Sequence, residues 1–293
     1  MTRTFLLLAL AAAAGAQTLR VEKTDRVGRK VENEHFVADL SHRVVQGKQE
    51  DAGTIRALTF KPFGVTLLRT RNRMHWAPNL QRAGAQGYKG IGVWEPVQQV
   101  RDEEKKDEYI HYREGYIPDY PEVKVEAEYR FFPAVPYFVF WSRLTVEKPL
   151  TVTLLRNNEM TMDQFFTHLA WPTREGKRHL TTFDGRKPLL EKEPIAVDAP
   201  WVVFVNLDKG YGYGYVKLDY KATKTANPAT GISDGADNGK YWSRSIIRGT
   251  ETPLQPGDRF EERTAYVLFR CSKENPLGEF FDWEKRIRSR FSK

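Results

Sequence analysis

Apolar and polar residues alternate along most of this chain with a period of two. Between residues 122 and 132, Val123, Val125, Ala127, Tyr129 and Phe131 fall on one side, and Lys124, Glu126, Glu128 and Arg130 on the other. That period is the signature of a strand with one face toward a core. Charge at every alternate position means that the second face is wet or lines a polar cleft. Residues 31–40 alternate in the same way, with Phe36, Ala38 and Leu40 together. Strands over 54–60 and 65–68, separated by a Phe63-Gly64 turn, would continue as a meander. Further strands are expected over 93–100, 109–113, 137–146, 150–155, 201–207, 241–247 and 260–269. The Tyr-Phe-Val-Phe-Trp run from Tyr137 is apolar on both faces and belongs in the middle of a sheet. Pro118-Asp119-Tyr120-Pro121, Asp184-Gly185 between two short strands, and Pro256-Gly257-Asp258 carry turn chemistry. The charge run 101–106 is expected as a solvated turn and the Gly/Asp/Asn-rich stretch 227–239 as a surface loop. A calcium site at Asp234, Asp237 and Asn238 fits no EF-hand spacing. Residues 70–92 break the pattern and are expected as one long loop, functional or mobile.

The end of the chain changes period. Leu277, Phe280, Phe281, Ile287 and Phe291 recur at helical spacing, interrupted by Glu284. Asn275 can cap this helix and Pro276 suits its first position. It is expected to dock on a sheet, with a membrane-surface helix as the alternative. Many strands without helical crossovers predict an all-β fold of antiparallel sheets packed face to face, with one C-terminal helix.

At the start, Arg3, an apolar run over 5–14 and Ala14-Gly15-Ala16 have the form of a secretory signal peptide. Residues 1–16 are therefore expected to be removed, and 17–293 to form a single β-sandwich domain in the periplasm or outside the cell. A retained anchor is the alternative; no stable membrane insertion is expected. The one cysteine, Cys271, allows no intramolecular disulfide and reads as structural. A formal charge of +8 is dispersed over 46 basic and 38 acidic residues. Dispersal and export argue against a nucleic-acid partner. A basic surface favours an anionic substrate such as a uronate glycan, or is simply solvated. Aromatic residues, 13% of the chain, suit both strands and carbohydrate stacking.

Candidate chemistry concentrates in residues 156–171, where Arg156, Asn157, Asn158, Glu159, Asp163, His168 and Trp171 lie among large apolar residues. Ionisable groups beside apolar bulk read as a pocket wall. Arg73, His75 and Trp76 in the long loop would face it. Met160 and Met162 read as core, and Arg156 and Glu159 can also pair with each other. Gly210 to Tyr215 alternates glycine with tyrosine, so Tyr211, Tyr213 and Tyr215 share a side and something must approach the glycine face closely. Tyr213 is a candidate acid.

The opening Val31-Glu32-Asn33-Glu34-His35-Phe36, followed by Gly53-Thr54-Ile55-Arg56-Ala57-Leu58, is similar to the first hairpin of the galactose mutarotase-like supersandwich. The ending resembles that family's last long strand: Leu254-Gln255-Pro256-Gly257-Asp258, then Arg259 onward through Glu261, Glu262, Arg263 and Thr264 to Phe269. The family contains aldose epimerases and domains of glycoside hydrolases and polysaccharide lyases. Its epimerases use a mid-chain histidine as acid, which the resemblance places at His168, and a late glutamate as base. Glu261 and Glu262 fall in that region, and Asn72 and Arg73 in the region of the early substrate contacts.

The resulting expectation is an exported β-supersandwich that binds or converts a sugar or uronate glycan by epimerase- or lyase-type acid/base chemistry. His168, His75 and Glu159 would be catalytic. Arg73, Trp76, Arg156, Asn157, Asn158, Asp163, Trp171 and Tyr213 would bind substrate, with no cofactor and no metal. The alternatives are a non-catalytic glycan-binding module with Trp76, Trp171 and the tyrosine ribbon as platforms, a structural sandwich, and a metal hydrolase built on His75, His168, His179 and Asp163.

Overall fold

The computed structural model describes residues 19–45, 48–68, 79–86, 97–117, 119–162, 166–183, 198–235 and 239–291. In chain order the elements are β1 (Arg20–Lys23), β2 (Arg29–Glu32), β3 (Phe36–Val45), β4 (Lys48–Phe60), β5 (Val65–Leu68), β6 (Asn79–Arg82), β7 (Val97–Glu104), β8 (Tyr109–Ile117) and β9 (Tyr120–Phe131). They continue as β10 (Tyr137–Val146), β11 (Leu150–Met162), β12 (His168–Pro172), β13 (Arg178–Thr182), β14 (Trp201–Asn206), β15 (Tyr211–Ala222), β16 (Ala229–Gly235), β17 (Gly239–Leu254), β18 (Arg259–Arg270) and α1 (Gly278–Phe291). All pairings are antiparallel, in three sheets. A five-stranded sheet runs β1 to β5; a nine-stranded sheet has the order β13-β12-β14-β15-β18-β10-β9-β8-β7; a four-stranded sheet has the order β16-β17-β11-β6.

One face of the nine-stranded sheet packs against both smaller sheets. Val123, Val125, Ala127, Tyr129 and Phe131 of β9, all fully buried, share this core with Phe36, Ala38 and Leu40 of β3 and with Val152, Leu155 and Met160 of β11. Period-two patterning thus positions the expected faces of β9 and β3 correctly, and β10 is central, between β9 and β18. The opposite face of the large sheet is covered in part by α1. Phe280 and Ile287 of the helix bury against a second cluster with Val139, Val203, Val267 and Phe269. The close approach expected at the glycine ribbon is made here: a Cβ on Gly214 would collide with the Phe280 ring, and one on Gly212 with the Phe269 ring. Tyr211, Tyr213 and Tyr215 lie on the other side of β15, in the main core.

Several expectations about local structure are corrected. The strand expected over 31–40 is two strands, because the Asn33 side chain makes a turn. Its Oδ1 accepts from the backbone N–H groups of His35 (2.8 Å) and Phe36 (2.9 Å), and its Nδ2 donates to the Phe132 and Val135 carbonyls (2.8 and 3.0 Å). The stretch 227–239 contributes the edge strand β16. The expected long loop 70–92 contains β6, which pairs with β11 and is tied to β9 by the Tyr120 hydroxyl donating to the Leu80 carbonyl at 3.0 Å. Asp184, Gly185, Asp237 and Asn238 lie outside the described residues.

The charge run 101–106 is not a solvated turn either. Through Glu104 it is strand, and Asp102 points inward. Its carboxylate accepts from Arg29 (Nη2, 2.7 Å), the Tyr109 hydroxyl (2.7 Å) and His111 Nδ1 (2.9 Å). Arg29 is 4% exposed and sits on β2, so this cluster clasps the five-stranded sheet to the edge of the nine-stranded one. Burial works to raise the Asp102 pKa, but the donors from His111, Arg29 and Tyr109 outweigh it and hold the carboxyl well below the usual range. Burial pushes the His111 pKa down in spite of Asp102.

Asp102→Asn should therefore lower stability at pH 7 by on the order of 3 kcal/mol, since it leaves a buried guanidinium without its counter-charge. Because the folded-state pKa of Asp102 is depressed, the stabilisation is present above the unfolded-state value of about 4 and is lost on further acidification. Urea unfolding at several pH values should show the gap between the two proteins narrowing below about pH 4. A constant gap would place the clasp's contribution elsewhere.

Candidate functional site

Residues 156–171 do not form one wall. They cross from one sheet to another, and strand parity decides where each side chain goes. Asn157 and Asn158 both enter the core, because the β11–β17 register is irregular between Leu155 and Asn158. The Asn157 amide donates to the Ser142 hydroxyl of β10 at 2.9 Å. Asn158 Nδ2 donates to Glu262 at 2.8 Å, and its Oδ1 accepts from the Tyr266 hydroxyl at 2.9 Å. Both asparagines are fully buried and tie β11 to the facing sheet. They are corrected from substrate contacts to inter-sheet links.

The same network contains Arg244 of β17, also fully buried. It donates to Glu262 of β18 through Nη1 and to Asp198 through Nε (2.8 Å) and Nη2 (3.0 Å), and lies 4.3 Å from the Tyr220 ring centroid. Burial works to lower the Arg244 pKa, but Glu262 and Asp198 overcome it and the net shift is upward. Burial likewise works to raise that of Asp198, and the donors from Arg244 and Lys217 bring it below its ordinary value. Glu262, one of the two late glutamates in the region of the family's base, is 1% exposed with both oxygens engaged. It holds the sandwich together and does not open toward a ligand. Its neighbour Glu261 points to the other face of β18.

Glu159 alternates with Asn158 and Met160, which are inward, and so lies on the face of the four-stranded sheet turned away from the nine-stranded sheet. Arg156 reaches the Glu159 carboxylate at 3.6 Å and Asn79 reaches it at 3.5 Å. The three converge, with Glu159 7% exposed. His168 opens β12, where Leu169 and Trp171 face the core. It therefore points, with Ala170 and Val205, to the helix-bearing face of the nine-stranded sheet. Its Nδ1 is 2.8 Å from Thr167 Oγ1. His168 and Glu159 thus sit on outward faces of two packed sheets that are about 10 Å apart, which rules out a shared substrate.

Two further expectations are corrected on burial. Trp171 is 1% exposed, with its ring centroid 4.5 Å from that of His179, and Tyr213 is fully buried. Neither presents a face to stack on, and the Tyr213 hydroxyl, its pKa pushed far upward by burial, has no route to act as an acid. His179, opposite Trp171, faces the core, so it and His168 do not form a metal pair. Arg73, His75, Trp76 and Asp163 lie outside the described residues.

A concavity among the described residues lies elsewhere, on the outer face of the nine-stranded sheet beside α1. It measures about 430 Å³, and its floor includes Tyr112, Glu126, Glu128, Trp141 and Arg143. This is the charged face of β9 that alternation marked as wet or cleft-lining. Arg143 grips Glu126 through two bonds, Nη2–Oε1 at 2.6 Å and Nε–Oε2 at 2.7 Å. The Tyr112 hydroxyl reaches Glu126 at 2.9 Å. Burial works to raise the Glu126 pKa, and Arg143 and Tyr112 bring it below its ordinary value. Arg130 holds Glu128. Trp141, Cα partner of Glu128, is partly buried, with Arg143 5.2 Å from its ring centroid. Within the sequence, Trp141 reads as part of an apolar run, and only strand pairing shows that it adjoins the carboxylates of β9.

No family model and no curated protein matches the sequence. Solved structures do. The chain is similar to the galactosidase domain of the α-galactosidase-sucrose kinase AgaSK, with 9% identity, TM-score 0.52, and coverage of 86% of this chain and 42% of that one. It is also similar to the α-N-acetylgalactosaminidase NagBb from Bifidobacterium bifidum, with 8% identity, TM-score 0.53, and coverage of 89% and 39%. The chain spans about two fifths of the length of these proteins. At such identities the likeness is one of fold, and it agrees with the expected antiparallel β-sandwich.

If the Arg244 network is structural, Arg244→Leu should destabilise by about 3–5 kcal/mol, because it strands buried carboxylates. Arg244→Met combined with Glu262→Leu should recover a large part of that loss. Chemical denaturation of the two variants checks this, and equal losses in both would contradict the assignment.

Proposed function

We propose that this chain is an exported β-sandwich module that binds carbohydrate in the trough on the outer face of its nine-stranded sheet. The observation that carries this reading is the partly buried Trp141, which lines the trough beside the Arg143–Glu126 and Arg130–Glu128 pairs. An aromatic face packs against the C–H side of a sugar ring, while fixed charged groups donate to and accept from its hydroxyls. The volume falls in the range of small-molecule sites, about 300–1,000 Å³. Fold likeness to a galactosidase domain and to an α-N-acetylgalactosaminidase supports carbohydrate over other ligand classes.

Binding is preferred to conversion. Epimerase or lyase chemistry needs a base and a proton donor around one substrate. Glu262 is spent on Arg244, and His168 and Glu159 face opposite ways. Export is proposed from the signal-like residues 1–16.

A glycan panel followed by titration calorimetry should identify a bound saccharide. Trp141→Ala should weaken it at least about tenfold, or about 1.4 kcal/mol. Glu159→Gln should leave it unchanged. Neither an unsaturated, ultraviolet-absorbing product nor accelerated anomeric exchange by NMR is expected. Turnover in either assay, or binding indifferent to Trp141→Ala, would overturn the reading.

A further inference from the structure

The trough carries positive charge at its two ends, unpaired among the described residues at Arg101 and only loosely paired at Arg263. Five residues are Cα partners across successive strands: Arg101 on β7, Tyr112 on β8, Glu128 on β9, Trp141 on β10 and Arg263 on β18. All five lie on the outer face. In the middle of this band each carboxylate already has its cation, Glu126 from Arg143 and Glu128 from Arg130. The two terminal arginines are different. Arg101 lies 4.5 Å from the Tyr112 ring centroid and has no carboxylate partner among the described residues. Arg263 meets Asp219 only at 3.6 Å, and Asp219 is shared with Lys221 at 3.2 Å. Four inter-strand spacings separate the two arginines, about 19 Å between backbones.

We infer that the trough selects an acidic oligosaccharide, carboxylated or sulfated, lying across the strands. One sugar ring rests on Trp141, and acidic groups on either side of it reach Arg101 and Arg263. This rests on the carbohydrate reading above and adds the ligand's charge, length and direction. The charge follows from the guanidinium fork, which pairs in two-point fashion with carboxylate or sulfate oxygens and has no such partner at either end. The length follows from the separation, which a single sugar cannot span. The direction follows from the row itself, since the polar side chains are neighbours across strands rather than along one. Trp141 in the centre favours a saccharide over an acidic peptide, because a flat indole face matches a pyranose ring.

The test is titration calorimetry of the full chain with four probes: tetragalacturonate, the same tetrasaccharide fully methyl-esterified, a sulfated galactan tetrasaccharide, and octaglutamate. Tetragalacturonate or the sulfated sugar should bind at least tenfold tighter than the ester, and more weakly as NaCl is raised. Arg101→Gln and Arg263→Gln, both on accessible side chains, should each weaken acidic-sugar binding about fivefold and ester binding by clearly less. Circular dichroism confirms that both variants fold. Equal binding of the ester and the acid would overturn acid selection while leaving the carbohydrate reading standing. Loss of binding to all three sugars would overturn both. Octaglutamate bound as tightly as the acidic sugars would overturn the saccharide assignment, and unchanged affinity in both arginine variants would overturn the placement.

Discussion

The structure depends on a fully buried arginine. Arg244 lies between the four-stranded and nine-stranded sheets, and an unpaired charge there would cost several kcal/mol. Asp198 and Glu262 remove that penalty, Asn158 satisfies the remaining side of Glu262, and Tyr266 in turn satisfies Asn158. Such a network is unforgiving, since each member is placed by the others. It fixes how β11 and β17 sit over β18 more narrowly than the surrounding apolar contacts do, because apolar packing tolerates sliding and directed, charge-assisted hydrogen bonds do not. Asp102 and Arg29 act in the same way at the other end of the large sheet, where the five-stranded sheet is attached.

This use of polar residues bears on function. A polar side chain between packed sheets is bound to its structural partners and has little left for a ligand. The residues with the richest chemistry on paper, Asn157, Asn158 and Glu262, are the ones most completely occupied. The outer face of the nine-stranded sheet is arranged differently. α1 covers the part that carries Val139, Ala265 and Val267, and beyond the helix the same strands carry Trp141, Arg143 and Arg263. Apolar cover thus ends where the charged row begins, and a trough results.

The legible parts of the fold were those governed by local period. Alternation in β9 named both its faces, and the apolar run of β10 placed it centrally. The helical spacing after Asn275 identified α1, and the glycine ribbon announced the close approach that Phe280 and Phe269 make. Asp102 was not legible, because a carboxylate in a charge run looks solvated until Arg29 arrives from 73 residues away. Short β6 carries too few residues for a period, and β16, Ala-Thr-Gly-Ile-Ser-Asp-Gly, has the composition of a loop. Asn33 broke a strand through its own side chain, a competition between side-chain and backbone hydrogen bonding that alternation does not register.

Residues 156–171 are divided between faces for a related reason. They are contiguous in sequence, but a strand sends neighbours to opposite faces, and a register irregularity shifts that parity. His168 and Glu159 therefore point out of opposite sides of the sandwich. The sequence by itself determined the all-β class, the paired faces of the long strands and the docking helix, since each follows from the spacing of side chains a few residues apart. Only the tertiary structure decided which charges are buried and paired, and that Arg101, Tyr112, Glu128, Trp141 and Arg263 form one row. Those five come from five strands, and nothing but sheet pairing makes them neighbours.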